Sequence, residues 1–361
     1  MGTSRPLGPL SNDILLVYLP TDPDPSWVAK MELKYPGLQV RWPVRGVWGQ
    51  PYLDAAAWDG VTMTTTFLPH PIDLMKSVRF VQLSSAGADG WTSPVQHPKY
   101  ADPDVVFCTG NGTHPPQIAE WVFGTYLMMS HRLLDYHASQ EEAVWRKTLY
   151  DIEDAPGKRI GILGYGAIGR QVARVASALG MEVYAYTRRE RATPESRRDD
   201  SYCVPGTGDP DGTIPAKWFH GASVESVNAF LAQELDMLVI SLPITNATRK
   251  LIGREQFQIM SHNGKKTFVS NIARGAIIDQ EALIEALNEG WIWGAALDVT
   301  DPEPLPDGHP LWTTKNVIVT PHVSWQTPHY WSRVLSILEI NLERLAKGEG
   351  LINVMDRENH Y

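Results

Sequence analysis

The sequence predicts an α/β protein built from two doubly wound parallel sheets, and three observations carry that prediction. A glycine-rich turn, Gly164-Tyr165-Gly166-Ala167-Ile168-Gly169, stands between an apolar run at residues 159–163 and a helical run at residues 171–179 closed by Gly180. Strand-like and helix-like runs alternate on both sides of that turn, the pattern of parallel strands covered by helices. At 361 residues the chain exceeds one simple core, so two domains follow.

Along the first half, residues 13–19 read as a strand, 26–35 as a helix and 38–42 as a strand. Residues 61–65, 80–83 and 105–108 are further strand-like runs, with helical or turn segments between them. Residues 118–146, introduced by Pro115-Pro116, read as one long helix. Its apolar residues Trp121, Val122, Leu127, Met128, Leu133 and Leu134 occupy more than one face, which suits packing against a second domain or a partner chain. The plainer alternative is a helix buried inside one domain. The second run places strands at residues 160–163, 182–187, 237–242, 267–271, 294–298 and 317–320. Residues 188–223, polar and rich in Gly, Pro and Arg, read as an exposed, partly irregular excursion. Residues 331–345 read as a final helix, and no internal repeat is visible.

The net charge of −9 argues against nucleic acid, or an anionic membrane surface, as the main partner. No run approaches the roughly 18 apolar residues of a membrane span. The first twelve residues lack the apolar core of a secretory signal, and Glu358-Asn359-His360-Tyr361 carries no sorting address. Two cysteines, Cys108 and Cys203, are too few for a disulfide framework, so a reducing, cytoplasmic compartment is expected. No metal site is read.

The glycine turn has the strand before it and the helix after it that dinucleotide binding requires, with the helix N-terminus facing the pyrophosphate. NAD-binding domains usually place an acidic residue at the end of the second strand for the ribose 2′-hydroxyl. Here that strand ends in Thr187-Arg188-Arg189. Guanidinium matches phosphate in charge and fork geometry, which favours NADP over NAD, with NADPH preferred over NADH. The competing reading is a solvated basic loop, since Arg191, Arg197 and Arg198 follow.

Arg274, Glu303 and His322 each stand at or just beyond the carboxyl end of a predicted strand, where ligands bind in an open parallel sheet. Taken singly, they read as a surface ion pair, a loop carboxylate and a strand-end cap. Together they suit carbonyl reduction. Hydride delivered to a carbonyl carbon leaves negative charge on oxygen, and histidine as a residue type can supply a proton near neutral pH. A carboxylate beside an imidazole orients it, and an arginine can hold a substrate carboxylate and polarise the carbonyl.

On these residues the chain resembles the D-2-hydroxyacid dehydrogenase family. The likeness covers most of the chain and is densest at residues 160–325, through the glycine turn, Ser241-Leu242-Pro243 with Thr248, Asn271-Ile272-Ala273-Arg274-Gly275, Ala296-Leu297-Asp298-Val299 followed by Glu303-Pro304-Leu305-Pro306, and Thr320-Pro321-His322. The resemblance implies a Rossmann cofactor domain, residues 116–329, inserted into a flavodoxin-like substrate domain of residues 1–115 and 330–361. It implies Arg274 as the substrate-binding arginine, Glu303 as partner of His322, and His322 as acid/base. It places Leu242, Pro243, Thr248, Ile272, Ala273 and Asp298 around the cofactor, with Asp298 near the nicotinamide carboxamide. It makes the loop of Ser85, Ala86 and Gly87 the backbone cradle for a substrate carboxylate, and it implies a homodimer and a cleft whose closure excludes water.

Thr187 departs from the family's usual acidic residue, and Ser324-Trp325 stands where many members carry small residues. Both features resemble NADP-dependent glyoxylate/hydroxypyruvate reductases, in which Trp325 would shape the substrate pocket. The expected activity is NADPH-dependent reduction of a 2-oxo acid, such as glyoxylate, hydroxypyruvate or a larger one, to a D-2-hydroxy acid. The alternatives are a formate dehydrogenase, against which Glu303 argues because those enzymes pair the histidine with glutamine, and a dinucleotide-sensing, corepressor-like binding protein on the same fold.

Overall fold

The computed structural model describes residues 10–44, 54–92, 95–147 and 152–357. The sequence readings that rest on residues 1–9 and 358–361 lie outside the described residues. The chain divides into two compact units, residues 1–113 with 328–361, and residues 114–327.

The first unit holds a five-stranded parallel sheet of β1 (Ile14–Tyr18), β2 (Gln39–Arg41), β3 (Met63–Thr66), β4 (Phe80–Leu83) and β5 (Val106–Cys108). Their order is β2-β1-β3-β4-β5, the flavodoxin-like arrangement. β3 and β4 are buried at every position, and apart from Gln82 their residues are apolar or β-branched. The Pro25–Lys34 helix starts where Asp24 accepts from the N–H groups of Ser26 and Trp27, with Pro25 supplying a pre-set first position. The final helix, Tyr330–Lys347, returns to this sheet: Asn341 donates to buried Gln82 at 2.9 Å, and Gly348, in the left-handed region, ends it.

The second unit holds a seven-stranded parallel sheet of β6 (Arg159–Leu163), β7 (Glu182–Thr187), β8 (Lys217–His220), β9 (Met237–Ile240), β10 (Thr267–Asn271), β11 (Ile292–Leu297) and β12 (Val317–Val319). Its order, β12-β11-β10-β9-β6-β7-β8, is the Rossmann order extended by one strand, and the direction of progression reverses between β6 and β9. Strand side chains alternate between two cores. Leu163, Leu238, Ile240 and Val269 pack with Val227, Phe230 and Phe257 of one helical layer. Ile160, Ile162, Val239 and Phe268 pack with Ile118, Val122, Val172 and Ala176 of the other. Period-two alternation between two apolar layers makes the central strands β6 and β9 apolar at their buried positions on both faces.

Three expectations are corrected here. The long helix is two helices, Pro115–Ser130 and Leu133–Glu141, broken where Arg132 adopts φ 57°. No Gly or Pro marks the break; the buried face of the first helix belongs to a core that ends there. The helix after the glycine turn begins at Ala167, four residues earlier than the apolar pattern implies, because Gly166 serves as its N-cap. The polar excursion is docked rather than merely exposed, and it contains β8, an edge strand paired to β7. Buried Arg170 donates to the carbonyls of Asp209 (2.5 Å) and Arg197 (2.7 Å), tying the excursion to the helix behind the glycine turn.

Candidate active site

The parallel register of the second sheet sets the residues singled out in that unit at, or in the loops just beyond, the carboxyl ends of its strands. The glycine turn follows β6. Gly164 has φ 110°, and a Cβ there would lie 2.5 Å from the Ser241 carbonyl oxygen; a Cβ on Gly169 would lie 2.3 Å from the Gly164 carbonyl oxygen. The fold itself demands those two glycines. Gly166 differs, because its Cβ would meet nothing within 4 Å and no side chain caps the helix it starts. The first turn of the Ala167–Ala178 helix therefore has no side-chain cap, and the end of a helix left uncapped in this way is where a phosphate can be received.

Tyr165 contributes only backbone to that turn. Its ring is buried edge-on to Trp218, and its hydroxyl donates to Asp209 Oδ2 at 2.7 Å. Burial, reinforced by the Asp209 carboxylate, pushes the phenol far above its ordinary range. At the end of β7 the Thr187 hydroxyl donates to the Arg189 carbonyl at 2.7 Å, and the side chains of Arg188 and Arg189 are exposed. Beyond β9, Thr248 donates to the Pro243 carbonyl and accepts from the Thr245 N–H, both at 2.8 Å. Its hydroxyl closes the turn that carries Leu242 and Pro243.

Arg274 is presented by a stapled turn after β10. Asn271 Oδ1 accepts from the Ala273 N–H at 3.1 Å, and its Nδ2 donates to the Arg274 carbonyl at 3.0 Å. Ile272 and Ala273 are buried beneath, so their side chains serve the core. Gly275 locks this turn to the next, since a Cβ there would fall 1.9 Å from the Thr300 carbonyl carbon. That neighbouring loop carries Glu303, whose Oε1 lies 2.9 Å from Nδ1 of His322; the two side chains are 38% and 43% exposed. The structure thus brings Glu303 and His322 together, with Arg274 one strand end away from the Glu303 loop.

Asp298 stands just past the end of β11, beside the His322 loop. It is 1% exposed. Oδ1 accepts from Thr320 Oγ1 (2.5 Å) and the Val323 N–H (2.9 Å), and Oδ2 from the Ser324 N–H (3.0 Å) and Ser324 Oγ (2.5 Å). The buried carboxylate thus has four donors, all from the segment that carries His322. Trp325 is half-buried against the core; its indole N–H donates to the His322 carbonyl at 2.8 Å. Asn271, Thr320 and Ser324 stand within the motifs read from the sequence, but no individual role is read for them there. A polar residue at the end of an otherwise apolar strand was the available signal for Asn271.

In the first unit, the loop of Ser85, Ala86 and Gly87 follows β4. Tyr330 Oη donates to the Ser84 carbonyl at 2.5 Å, and Ser85 Oγ donates to the Gly87 carbonyl at 2.6 Å, bracing the loop. Among the described residues no helix is long and apolar enough to cross a membrane.

A family model described as the NAD binding domain of D-isomer specific 2-hydroxyacid dehydrogenases matches residues 123–204 and 211–324. A glyoxylate reductase of Aeropyrum pernix is 36% identical over 202 residues, 56% of this chain and 52% of that protein. The chain thus spans about half the length of that relative. Among solved structures, a D-isomer specific 2-hydroxyacid dehydrogenase from Xanthobacter autotrophicus in complex with NADPH and MES is similar at a TM-score of 0.71 and 26% identity, over 97% of this chain and 100% of that one. An NADPH-dependent glyoxylate/hydroxypyruvate reductase from Sinorhizobium meliloti, in complex with NADP and sulfate, is similar at a TM-score of 0.69 and 25% identity, over 97% and 100%.

Proposed function

Because the chain belongs to the D-isomer specific 2-hydroxyacid dehydrogenase family, we propose that it is an NADPH-dependent 2-oxo acid reductase that makes D-2-hydroxy acids. The observation that carries this reading is the contact of Glu303 with His322 at the carboxyl edge of the dinucleotide-type sheet. When bound, the dinucleotide supplies hydride to the keto carbon. His322 gives a proton to the carbonyl oxygen as charge develops there. Glu303 engages Nδ1, so Nε2 is the nitrogen left for that transfer, and the carboxylate stabilises the ring orientation. Arg274 holds the substrate carboxylate and polarises the carbonyl. The Ser85–Gly87 backbone is a second candidate for carboxylate recognition, and Trp325 for the substrate side chain.

Preference for NADPH rests on Thr187 in place of a carboxylate and on the exposed guanidinium groups of Arg188 and Arg189 that follow. The NADPH and NADP complexes of the two structural relatives support it. A homodimer is the assembly proposed, since Leu133, Leu134, Val144 and Trp145 leave apolar surface uncovered at and beyond the second helix, Trp145 being 89% exposed.

The test is steady-state oxidation of NADPH and of NADH against 2-oxo acids from glyoxylate through hydroxypyruvate to phenylpyruvate and benzoylformate, with wild type and His322→Ala. Turnover that favours NADPH, lost in the variant with dinucleotide affinity intact, supports the reading. Tight dinucleotide binding without turnover moves the weight to a dinucleotide-sensing binding protein.

A further inference from the structure

We propose that Ser324 and Trp325 are positioning residues that hold His322, and through it the imidazole, in its working orientation. His322 sits at φ 54°, in the left-handed region that a residue with a Cβ rarely adopts. Such a conformation persists only where its surroundings over-determine it. The surroundings here are explicit. The His322 N–H donates to the Asp298 carbonyl at 2.8 Å and the Thr320 carbonyl at 3.0 Å. On the far side of the turn, Ser324 grips the buried Asp298 carboxylate with both its N–H and its hydroxyl. The His322 carbonyl is held by the Trp325 indole N–H, and the Trp325 carbonyl is held in turn by Gln117 Nε2 at 2.8 Å.

The exposure of the pair makes this scaffold matter. His322 and Glu303 side chains are 43% and 38% exposed, so part of each faces solvent and the backbone counts in holding the ring. Its direction descends from the backbone at 322, and the backbone is set by the Ser324 hydroxyl below and the Trp325 indole beside it. Releasing either anchor lets the turn relax toward ordinary dihedrals and swings the imidazole off Glu303. The arrangement assigns Trp325 a role in orienting the acid, independent of any contact its ring makes with a substrate side chain.

This inference rests on His322 being the proton donor proposed above, and the experiment separates the two. Ser324→Ala, Trp325→Phe and Ser324→Thr are compared with wild type and His322→Ala for kcat, KM, NADPH Kd by fluorescence titration, and urea midpoint. Loss of one hydrogen bond should lower kcat about three- to tenfold in Ser324→Ala and in Trp325→Phe. In Ser324→Ala the 2-oxo acid KM and the NADPH Kd should stay within about twofold, because Ser324 holds the buried Asp298 carboxylate and is given no ligand to bind. Trp325→Phe is read on kcat, because its ring is also a candidate for the substrate side chain. Ser324→Thr, which keeps the hydroxyl, should recover kcat. Wild-type kcat in both anchor variants, or a change in KM alone in Ser324→Ala, overturns the positioning role while His322→Ala still abolishes turnover. Full turnover in His322→Ala instead removes the catalytic reading beneath it.

Discussion

Nδ1 of His322 lies 2.9 Å from Oε1 of Glu303, and both side chains remain more than one-third exposed. A contact this exposed adds little to stability, and under the proposed function its value would lie in orienting the imidazole. His322→Ala is expected to lower kcat by about a thousandfold, and Glu303→Gln by about ten- to a hundredfold. Dinucleotide affinity should be unchanged in both. Stopped-flow turnover beside equilibrium fluorescence titration checks the pair.

The three glycines of the turn should respond differently to one added carbon. Gly166→Ala leaves the fold intact, because the new Cβ meets nothing within 4 Å, but it intrudes on the space assigned to the pyrophosphate. A tenfold or greater rise in dinucleotide Kd, on the order of 1.4 kcal/mol, is expected without a shift in the melting temperature. Gly164→Ala and Gly169→Ala push a Cβ to 2.5 and 2.3 Å from backbone oxygens, and both should melt at lower temperature. Thermal unfolding and titration of the three variants, side by side, read this out.

Arg188 and Arg189 follow Thr187 at the end of β7, where a 2′-phosphate would be recognised. Replacing both with alanine should raise KM for NADPH about ten- to a hundredfold, the magnitude of lost charge-assisted hydrogen bonds, and leave KM for NADH unchanged. Equal losses for the two cofactors would remove the phosphate assignment.

Stability should depend on pH through His70. The side chain is 1% exposed, and burial, aided by neighbouring His97, pulls its imidazole down to about 4. The ordinary histidine value, about 6.5, applies to the unfolded chain. Between those values the unfolded state binds a proton that the folded state does not. The contribution is therefore complete above about pH 6.5 and falls as pH drops toward 4, by about 3 kcal/mol over the window. Urea midpoints at pH 7.5 and 5 should differ less in His70→Gln than in wild type.

Much of this architecture was written in local pattern. Parallel strands buried on both faces read as short runs dominated by apolar and β-branched residues, so β6, β7, β9 and β10 stood out. The glycine turn was legible because strand, turn and helix are consecutive, and Arg274, Glu303 and His322 because each follows a strand end in order along the chain. β8 was not: its residues Lys217–His220 lie at a sheet edge with no fully buried position, inside a polar stretch. The helix break at Arg132 carries no Gly or Pro and was equally silent.

By itself the sequence determined two parallel α/β sheets, a dinucleotide-type turn and the residues available for hydride-transfer chemistry, because each of these is encoded within a few consecutive positions. Tertiary structure alone decided how those residues are held. Asp298 meets Ser324 across 26 positions, Arg170 meets Asp209 across 39, and Tyr330 meets Ser84 across 246. Which donors a carboxylate such as Asp298 meets depends on which distant groups the fold brings to its oxygens, and that is fixed only when the strands carrying them are laid side by side.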